Sequence, residues 1–384
     1  MPEKKPHAES HVVPEGPLAP GQRWSLVRQV AARTQPMTCG PHAGLVHTVL
    51  GPVAPEELGV TLPHEHILST LEVYLEKPRG EAEARLLDEP LTAANLAAVR
   101  AEPYRNRQNM LFDDEDLAVR ELILFRDAGG STVVDQTLPD IGRDLAGLAR
   151  IARRTGLHIV AGCGYYLEET HSPAVAQCTV EELAARLVAE LTANAATGGI
   201  PCGVLGEIGL TSPMTAAERK VLRAVAIAQR ETGAPVSVHT QAPDPQGIQA
   251  LDLLEAGGLD PGRVTIAHVD TDIDPAYQTA IAARGAFVEY DFFGWGEIAA
   301  TAEQFVHSDR RRVAGVAELL DAGYGDRVLL SQDVVARMQL AEYGGSGYAR
   351  LARDLPPLFA EYGIDGDELR RLMTANPARW LTWR

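Results

Sequence analysis

The chain is poor in cysteine and lacks long apolar runs. Its four cysteines, Cys39, Cys163, Cys178 and Cys202, show no CxxC spacing, and two of them fall in or directly beside predicted buried strands. Thiols in this pattern are typical of a reduced protein, so we expect a cytoplasmic location. No apolar run reaches the roughly 18 residues that a membrane-spanning helix needs. The sequence therefore predicts no membrane segment and no membrane partner.

Positive charge is scarce as well, and nucleotide-binding motifs are missing. The chain carries 35 Lys and Arg against 52 Asp and Glu, which gives a formal net charge of -17. No basic stretch offsets this charge, because RRRV at 310–313 is short and typical of a helix start. The balance argues against nucleic acid as a partner and favours a small neutral or polar substrate. No GxGxxG follows the first predicted strand, and no GxxxxGKS/T occurs, which weakens a nucleotide-binding interpretation.

The N-terminus differs in composition from the rest of the chain. It begins MPEKKPHAESHVVPEGPLAPGQ, which is polar and proline-rich and lacks the apolar centre of a signal peptide. We therefore predict a flexible arm over residues 1–40 and a single domain over residues 41–384.

Eight short apolar runs alternate with segments of helical spacing. The runs, predicted as strands 1 to 8, cover 59–66, 131–136, 158–164, 203–209, 234–240, 263–270, 285–291 and 326–333. Helical periodicity covers 114–130, 216–233 and 310–325, among others. Eight such units predict an α/β fold of the TIM (β/α)8 barrel type, with an open doubly wound sheet as the alternative. A long insertion at 67–114 follows strand 1, and we expect it to form a cap or a subunit contact.

Polar residues end several of these strands. Strand 1 runs into TLPHEHILST at 61–70, where His64 and His66 point to one face and Glu65 to the other. In TIM barrels the carboxyl ends of the strands meet at one rim, where active sites form. We therefore expect side chains from strands 1, 4, 5, 6 and 8 to converge there, namely His64, His66, Glu207, His239, His268 and Asp333.

Four imidazoles and two carboxylates exceed what one tetrahedral zinc binds, and they suit a centre with two metal ions. We predict that one divalent ion is held by His64, His66 and Asp333. The other is held by His239 and His268, and Glu207 bridges the two. Mixed imidazole and carboxylate ligands favour zinc, with cobalt, manganese or iron as alternatives. Such ions make hydroxide available at neutral pH and polarise the bond under attack, so the predicted reaction is hydrolysis.

Several motifs together resemble a known family. HEH on strand 1, GEIG on strand 4, SVHT on strand 5, IAHVD on strand 6 and LLSQD on strand 8 occur with DIGRD at 140–144 and TANPARWL at 374–381. From about residue 45 to the C-terminus, the chain resembles the phosphotriesterase-related proteins of the amidohydrolase superfamily. The resemblance implies a binuclear metal barrel and a homodimer. It also implies that Asp333 is both a metal ligand and the catalytic proton acceptor for a bridging hydroxide.

The chain departs from the best-known branch of that family. Organophosphate-degrading members bridge their metals with a carboxylated lysine on strand 4, whereas this chain has only Lys4, Lys5, Lys77 and Lys220, none on a predicted strand. The resemblance therefore implies the glutamate-bridged branch, whose members resemble sugar-lactone hydrolases and N-acyltaurine amide hydrolases. Phe292 stands where phosphotriesterases carry a proton-shuttling histidine, which disfavours organophosphate hydrolysis.

Five further residues are candidates for substrate binding. Tyr165 and Tyr166 end strand 3 and could donate a hydrogen bond to a substrate carbonyl, or merely pack at the rim. Arg143 could bind a substrate carboxylate, sulfonate or phosphate, or serve a structural role at a helix end. Asp270 could orient a ligand or relay a proton, or cap the next helix. Trp295 lies in the loop after strand 7, where specificity residues are common.

We therefore predict a metal-dependent hydrolase of a small lactone or ester, in which the hydroxide attacks a carbonyl. The alternative is an amide hydrolase acting on N-acyl amino acid or N-acyltaurine-like substrates. A phosphotriesterase, a single-metal deaminase and a non-catalytic binding protein are weaker alternatives.

Overall fold

The computed structural model describes residues 43–193, 199–240, 244–298 and 307–384. The arm predicted over residues 1–40 lies outside the described residues. The compact unit from Gly40 to Arg384 contains every element given below.

Eight parallel strands form the centre of the molecule, in the order of the chain. They are β1 Val60–Glu65, β2 Gly130–Asp135, β3 His158–Cys163, β4 Val204–Leu210, β5 Val236–Thr240, β6 Val264–Ile266, β7 Phe287–Tyr290 and β8 Val328–Leu330. These strands are apolar and rich in valine because both faces of a parallel sheet are buried. β8 returns to β1, where the Asp333 amide donates to the His64 carbonyl at 3.3 Å and the Ser331 Oγ atom lies 2.8 Å from the same oxygen. The predicted TIM barrel and its eight strands are confirmed.

Helices follow the strands and surround the barrel. They cover Glu81–Asp88, Leu96–Ala101, Glu115–Asp127, Leu145–Thr155, Pro173–Gln177, Val180–Leu191, Ala216–Thr232, Gly247–Ala256, Pro275–Ala283, Trp295–Ile298, Asp309–Asp321, Arg350–Arg353, Pro356–Glu361 and Gly366–Leu381. Capping side chains set several starts: Thr215, for example, forms a capping box with Glu218. Among the described residues, every helix is too short or too polar to cross a lipid bilayer.

The insertion after β1 forms a cap that is closed at its base. Ser69–Thr70 pairs antiparallel with Leu111–Phe112, so the two ends of the insertion lie side by side. Between them, buried Arg105 binds the carboxylates of Glu76, Glu83 and Glu102. The segment therefore has its own internal framework.

β6 and β8 end well before their predicted last residues 270 and 333, whereas the other strands end within one residue of prediction. β6 and β8 have three residues each, and the chain turns at His268 and Asp333, whose φ angles are 63° and 46°. Residues other than glycine rarely adopt this left-handed conformation, and they cluster at functional sites when they do. The turn leaves both side chains at the carboxyl rim of the barrel.

Candidate metal centre

Glu207 on β4 lies at the centre of the predicted cluster, and its carboxylate contacts four imidazoles. Its Oε2 atom lies 2.9 Å from His239 Nδ1, 3.3 Å from His268 Nε2 and 3.4 Å from His64 Nε2. Its Oε1 atom lies 3.2 Å from His66 Nε2. Glu207 therefore lies between the two predicted ligand groups, one with His64 and His66 and the other with His239 and His268.

Asp333 completes the group from the end of β8. Its Oδ1 atom lies 3.5 Å from His66 Nε2 and 3.7 Å from His64 Nε2. The possible ligand atoms of His64, His66 and Asp333 lie within 4.8 Å of one another, as do those of His64, Glu207 and His268. The structure thus brings all six predicted side chains together.

The donor set fits divalent metal ions. His64 Nε2 and Asp333 Oδ1 are both buried and have no hydrogen-bond partner among the described residues. Buried polar atoms normally have a partner, and these two face each other. Imidazole nitrogens and carboxylate oxygens are also the ligands that zinc and related ions use.

The electrostatic field of the cluster favours a cation. Burial alone lowers the pKa of His66, but Asp333 and Glu207 outweigh burial and raise it to about 9. Burial likewise opposes a charged Glu207, yet the imidazoles of His64 and His239 hold its pKa well below the usual range. Carboxylates that stabilise imidazolium so strongly will also stabilise a metal ion in its place.

A second layer of side chains orients the imidazoles. Thr137 Oγ1 lies 2.8 Å from His66 Nδ1, Asp291 Oδ1 lies 3.0 Å from His268 Nδ1, and Glu289 Oε2 lies 3.3 Å from His64 Nδ1. Each contact leaves the other nitrogen of the ring to face the cluster. Partners of this kind fix the tautomer of a metal-binding histidine. None of these three residues stands out in the sequence as such a partner, although Glu289 and Asp291 lie two apart in predicted strand 7.

We expect Glu289→Gln to weaken metal binding about tenfold, because a neutral amide supports the His64 tautomer less well than a carboxylate. The measurement is metal affinity by competition with a chromogenic chelator. Glu121→Gln is the matched control, since buried Glu121 instead accepts the Ala341 and Glu342 amides at 2.8 Å. Equal affinities in the two variants would contradict this prediction.

A cavity of about 330 Å³ opens onto the cluster. Half of its sixteen lining residues are apolar or aromatic and form the wall away from the cluster: Leu71, Tyr74, Tyr104, Met110, Tyr166, Phe292, Trp295 and Val335. Five of its lining residues, Glu76 among them, belong to the insertion after β1. The size and apolar walls are those of a small-molecule site.

Two of the five candidate substrate contacts line this cavity. The Tyr166 hydroxyl lies 3.3 Å from His239 Nδ1 and 2.6 Å from the Tyr74 hydroxyl. The Trp295 indole lines the cavity and donates to the Asp333 carbonyl at 3.1 Å. Both side chains can therefore touch a bound substrate, and Tyr74 was missed because nothing in the sequence relates the insertion to β3.

The other three candidates lie outside the cavity lining. Arg143 binds Glu190 at 2.5 Å and the Gly162 carbonyl at 2.7 Å. Asp270 is fully buried and accepts from Arg312 at 2.7 Å as well as from the Phe292 amide. Half-buried Tyr165 faces the His171 ring. These contacts give Arg143 and Asp270 structural partners instead of a place beside the substrate.

The barrel and the cluster at its rim together define a class, the metal-dependent hydrolases with a TIM barrel. The chain belongs to the phosphotriesterase family, whose family model matches residues 44–381. It is similar to an N-acetyltaurine hydrolase of Salmo salar, with 36% identity over 346 residues, 89% of this chain and 99% of the relative.

Solved structures agree with this assignment. A resiniferatoxin-binding protein from Rhodobacter sphaeroides matches with a TM-score of 0.84 and 36% identity, over 89% of this chain and 96% of that one. A lactonase from Listeria monocytogenes matches with a TM-score of 0.70 and 25% identity, over 88% of this chain and 99% of that one. The predicted family and the predicted hydrolase activity are confirmed. Homodimerisation and a cytoplasmic location stay predictions.

Proposed function

We propose that this protein is a binuclear metal-dependent hydrolase of small, uncharged carboxylic esters, lactones in particular. The observation that carries this proposal is a cavity with apolar walls that ends on the cluster around Glu207. The protein would then bind the acyl part of its substrate through apolar contacts and direct the carbonyl toward the cluster.

The predicted ligand assignment fits the contacts of the cluster. His64, His66 and Asp333 would hold one ion, His239 and His268 the other, and Glu207 would bridge them. Zinc is the ion that we propose, since histidine and carboxylate ligands in one site suit it. When bound, the ions supply activated water at neutral pH and polarise the substrate carbonyl.

Asp333 is the proposed proton acceptor. Burial opposes its ionisation, but the imidazoles of His66, His64 and His268 outweigh burial and lower the pKa of its carboxyl group. The group is therefore ionised at neutral pH and able to take a proton, which it passes to the leaving oxygen. The Tyr166 hydroxyl stands next to His239 and is placed to donate a hydrogen bond to the substrate carbonyl oxygen.

The charge of the cavity favours an uncharged substrate. Among the described residues, its lining contains no lysine or arginine, and its one exposed carboxylate, that of Glu76, is paired with Arg105 behind the wall. Residues 241–243 and 299–306 also include no lysine or arginine. A substrate sulfonate or carboxylate held away from the metal ions would therefore find no lysine or arginine partner in this part of the chain, and leaving an ion unpaired in an apolar site is costly.

Amide hydrolysis is the second candidate. The relative from Salmo salar is named an N-acetyltaurine hydrolase and covers nearly the same length. An N-acyl amide presents its carbonyl to the cluster as an ester does, but its leaving nitrogen must be protonated. Asp333 could deliver that proton as well.

We expect a γ-lactone with a short alkyl chain to be hydrolysed with a kcat/KM at least about tenfold above that of N-acetyltaurine, which corresponds to about 1.4 kcal/mol. N-ethylacetamide, which is N-acetyltaurine without the sulfonate, is the matched control for amide hydrolysis. A higher kcat/KM for N-acetyltaurine than for both other compounds would contradict the ester proposal and establish recognition of the sulfonate.

A further inference from the structure

The glutamate between His64 and His66, at the end of β1, has a buried site of its own. Glu65 is 0% exposed, and its side chain points away from the cluster that His64 and His66 face. An unpaired carboxylate in such a position would be costly, so its partners must compensate for its burial. All the partners of its carboxylate come from the segment around Asp333.

The two oxygens of Glu65 hold the peptide groups on either side of Asp333. Oε1 accepts from the Gln332 amide at 2.9 Å and from the Ser331 hydroxyl at 2.8 Å. Oε2 accepts from the Val334 amide at 2.8 Å. One carboxylate therefore fixes the residues before and after Asp333 at the same time.

Asp333 needs such support because its backbone is in the left-handed region, with φ at 46°. Its own carbonyl accepts from the Trp295 indole and from the Gln339 amide group, both at 3.1 Å. Its own amide donates to the His64 carbonyl at 3.3 Å. Its backbone is thus tethered to β1 and to the loops that follow β7 and β8.

We propose that Glu65 is a positioning residue, which holds Asp333 in the conformation that aims its carboxylate at the metal centre. The inference rests on the proposed function, in which Asp333 is a metal ligand and a proton acceptor. Glu65 itself touches neither substrate nor metal and acts through the backbone of the residues around Asp333.

A merely structural role, closing the barrel between β8 and β1, makes different predictions. In that case, loss of Glu65 would lower thermal stability and leave the folded protein with normal metal affinity and kcat. Glu121 offers the comparison, because it is also a buried glutamate whose two oxygens accept two backbone amides, those of Ala341 and Glu342. Ala341 and Glu342 lie outside residues 332–334, whose amides Glu65 holds, so Glu121 does not support Asp333 in the same way.

The test compares Glu65→Gln with Glu121→Gln in the full chain. Glutamine keeps the volume, but its NH2 group cannot accept from a backbone amide, so one of the two amide contacts is lost in each variant. Zinc content and zinc affinity are measured by chelator competition, kcat and KM with the alkyl γ-lactone, and stability by thermal melting.

We expect Glu65→Gln to lower zinc affinity and kcat about 10- to 100-fold each, with KM changed less than about threefold. Glu121→Gln should keep the wild-type zinc affinity and kcat, and its melting temperature should fall about as far as that of Glu65→Gln. Wild-type zinc affinity and kcat in Glu65→Gln would overturn the inference, as would equal losses in the two variants. If Glu65→Gln does not fold, Glu65→Asp replaces it, with an intermediate loss expected and the same overturning results.

Failure of the proposed function would give a distinct result. A wild-type enzyme that binds two ions but hydrolyses neither lactone nor amide would refute the proposed substrates. The zinc affinities of the two variants would still decide whether Glu65 positions Asp333.

Discussion

Asp333→Asn should reduce kcat at least about 10³-fold for every substrate that the wild-type enzyme hydrolyses. The asparagine side chain would keep a carbonyl oxygen that can face the metal centre, but an amide cannot accept the proton that the reaction releases. We therefore expect the folded variant to retain most of its metal. Steady-state kinetics together with elemental analysis of the same sample measures both quantities.

Asp326→Asn is the control for this variant. Asp326 lies just before β8, at the opposite end of the strand from Asp333, and pairs with Arg379 at 3.4 Å. We expect it to keep the wild-type kcat. A kcat of Asp333→Asn within tenfold of wild type, at full metal content, would exclude Asp333 as the proton acceptor.

Glu207→Ala should lower the metal content from two ions per chain toward one or none. The Glu207 carboxylate contacts all four imidazoles. Its removal would take one proposed ligand from each metal ion and leave four imidazoles close together without that carboxylate. Activity should fall in parallel, at least about 10³-fold, because activated water is lost with the metal. Elemental analysis of protein purified without chelator gives the number of ions.

Glu255→Ala serves as the control, since Glu255 pairs with Arg284 at 2.8 Å on the outer surface of the barrel. It should keep the full metal content. About one ion per chain in both wild type and Glu207→Ala would refute the bridged pair and direct attention to single-metal chemistry.

The sequence was informative about the barrel for a physical reason. Parallel strands are buried on both faces, so each one is a continuous apolar run, and eight such runs between helical segments can be recognised without tertiary information. The convergence of His64, Glu207 and Asp333 followed from the rule that strand ends share one rim. The ligand roles of these residues are still proposals that the metal measurements will test.

Features that depend on distant partners could not be predicted. The three residues that bond to Glu65 lie more than 260 positions along the chain, and no local pattern reveals them. The burial of Glu289 beside His64 was hidden for a related reason, because a strand buried on both faces does not show which side chains point inward. The sequence allowed a binding role for Arg143 because it does not show that Glu190 is its partner. Glu190 lies on a helix whose position depends on tertiary packing.

The paired ends of the insertion after β1 place part of the cavity wall on one continuous segment of the chain. Ser69–Thr70 and Leu111–Phe112 lie next to each other, so the segment between them enters and leaves the barrel at one point. Replacing that segment would remodel the walls around the substrate while leaving every proposed ligand untouched. Exchange of this one segment is therefore a route to a changed substrate range in this protein, with the proposed metal centre kept.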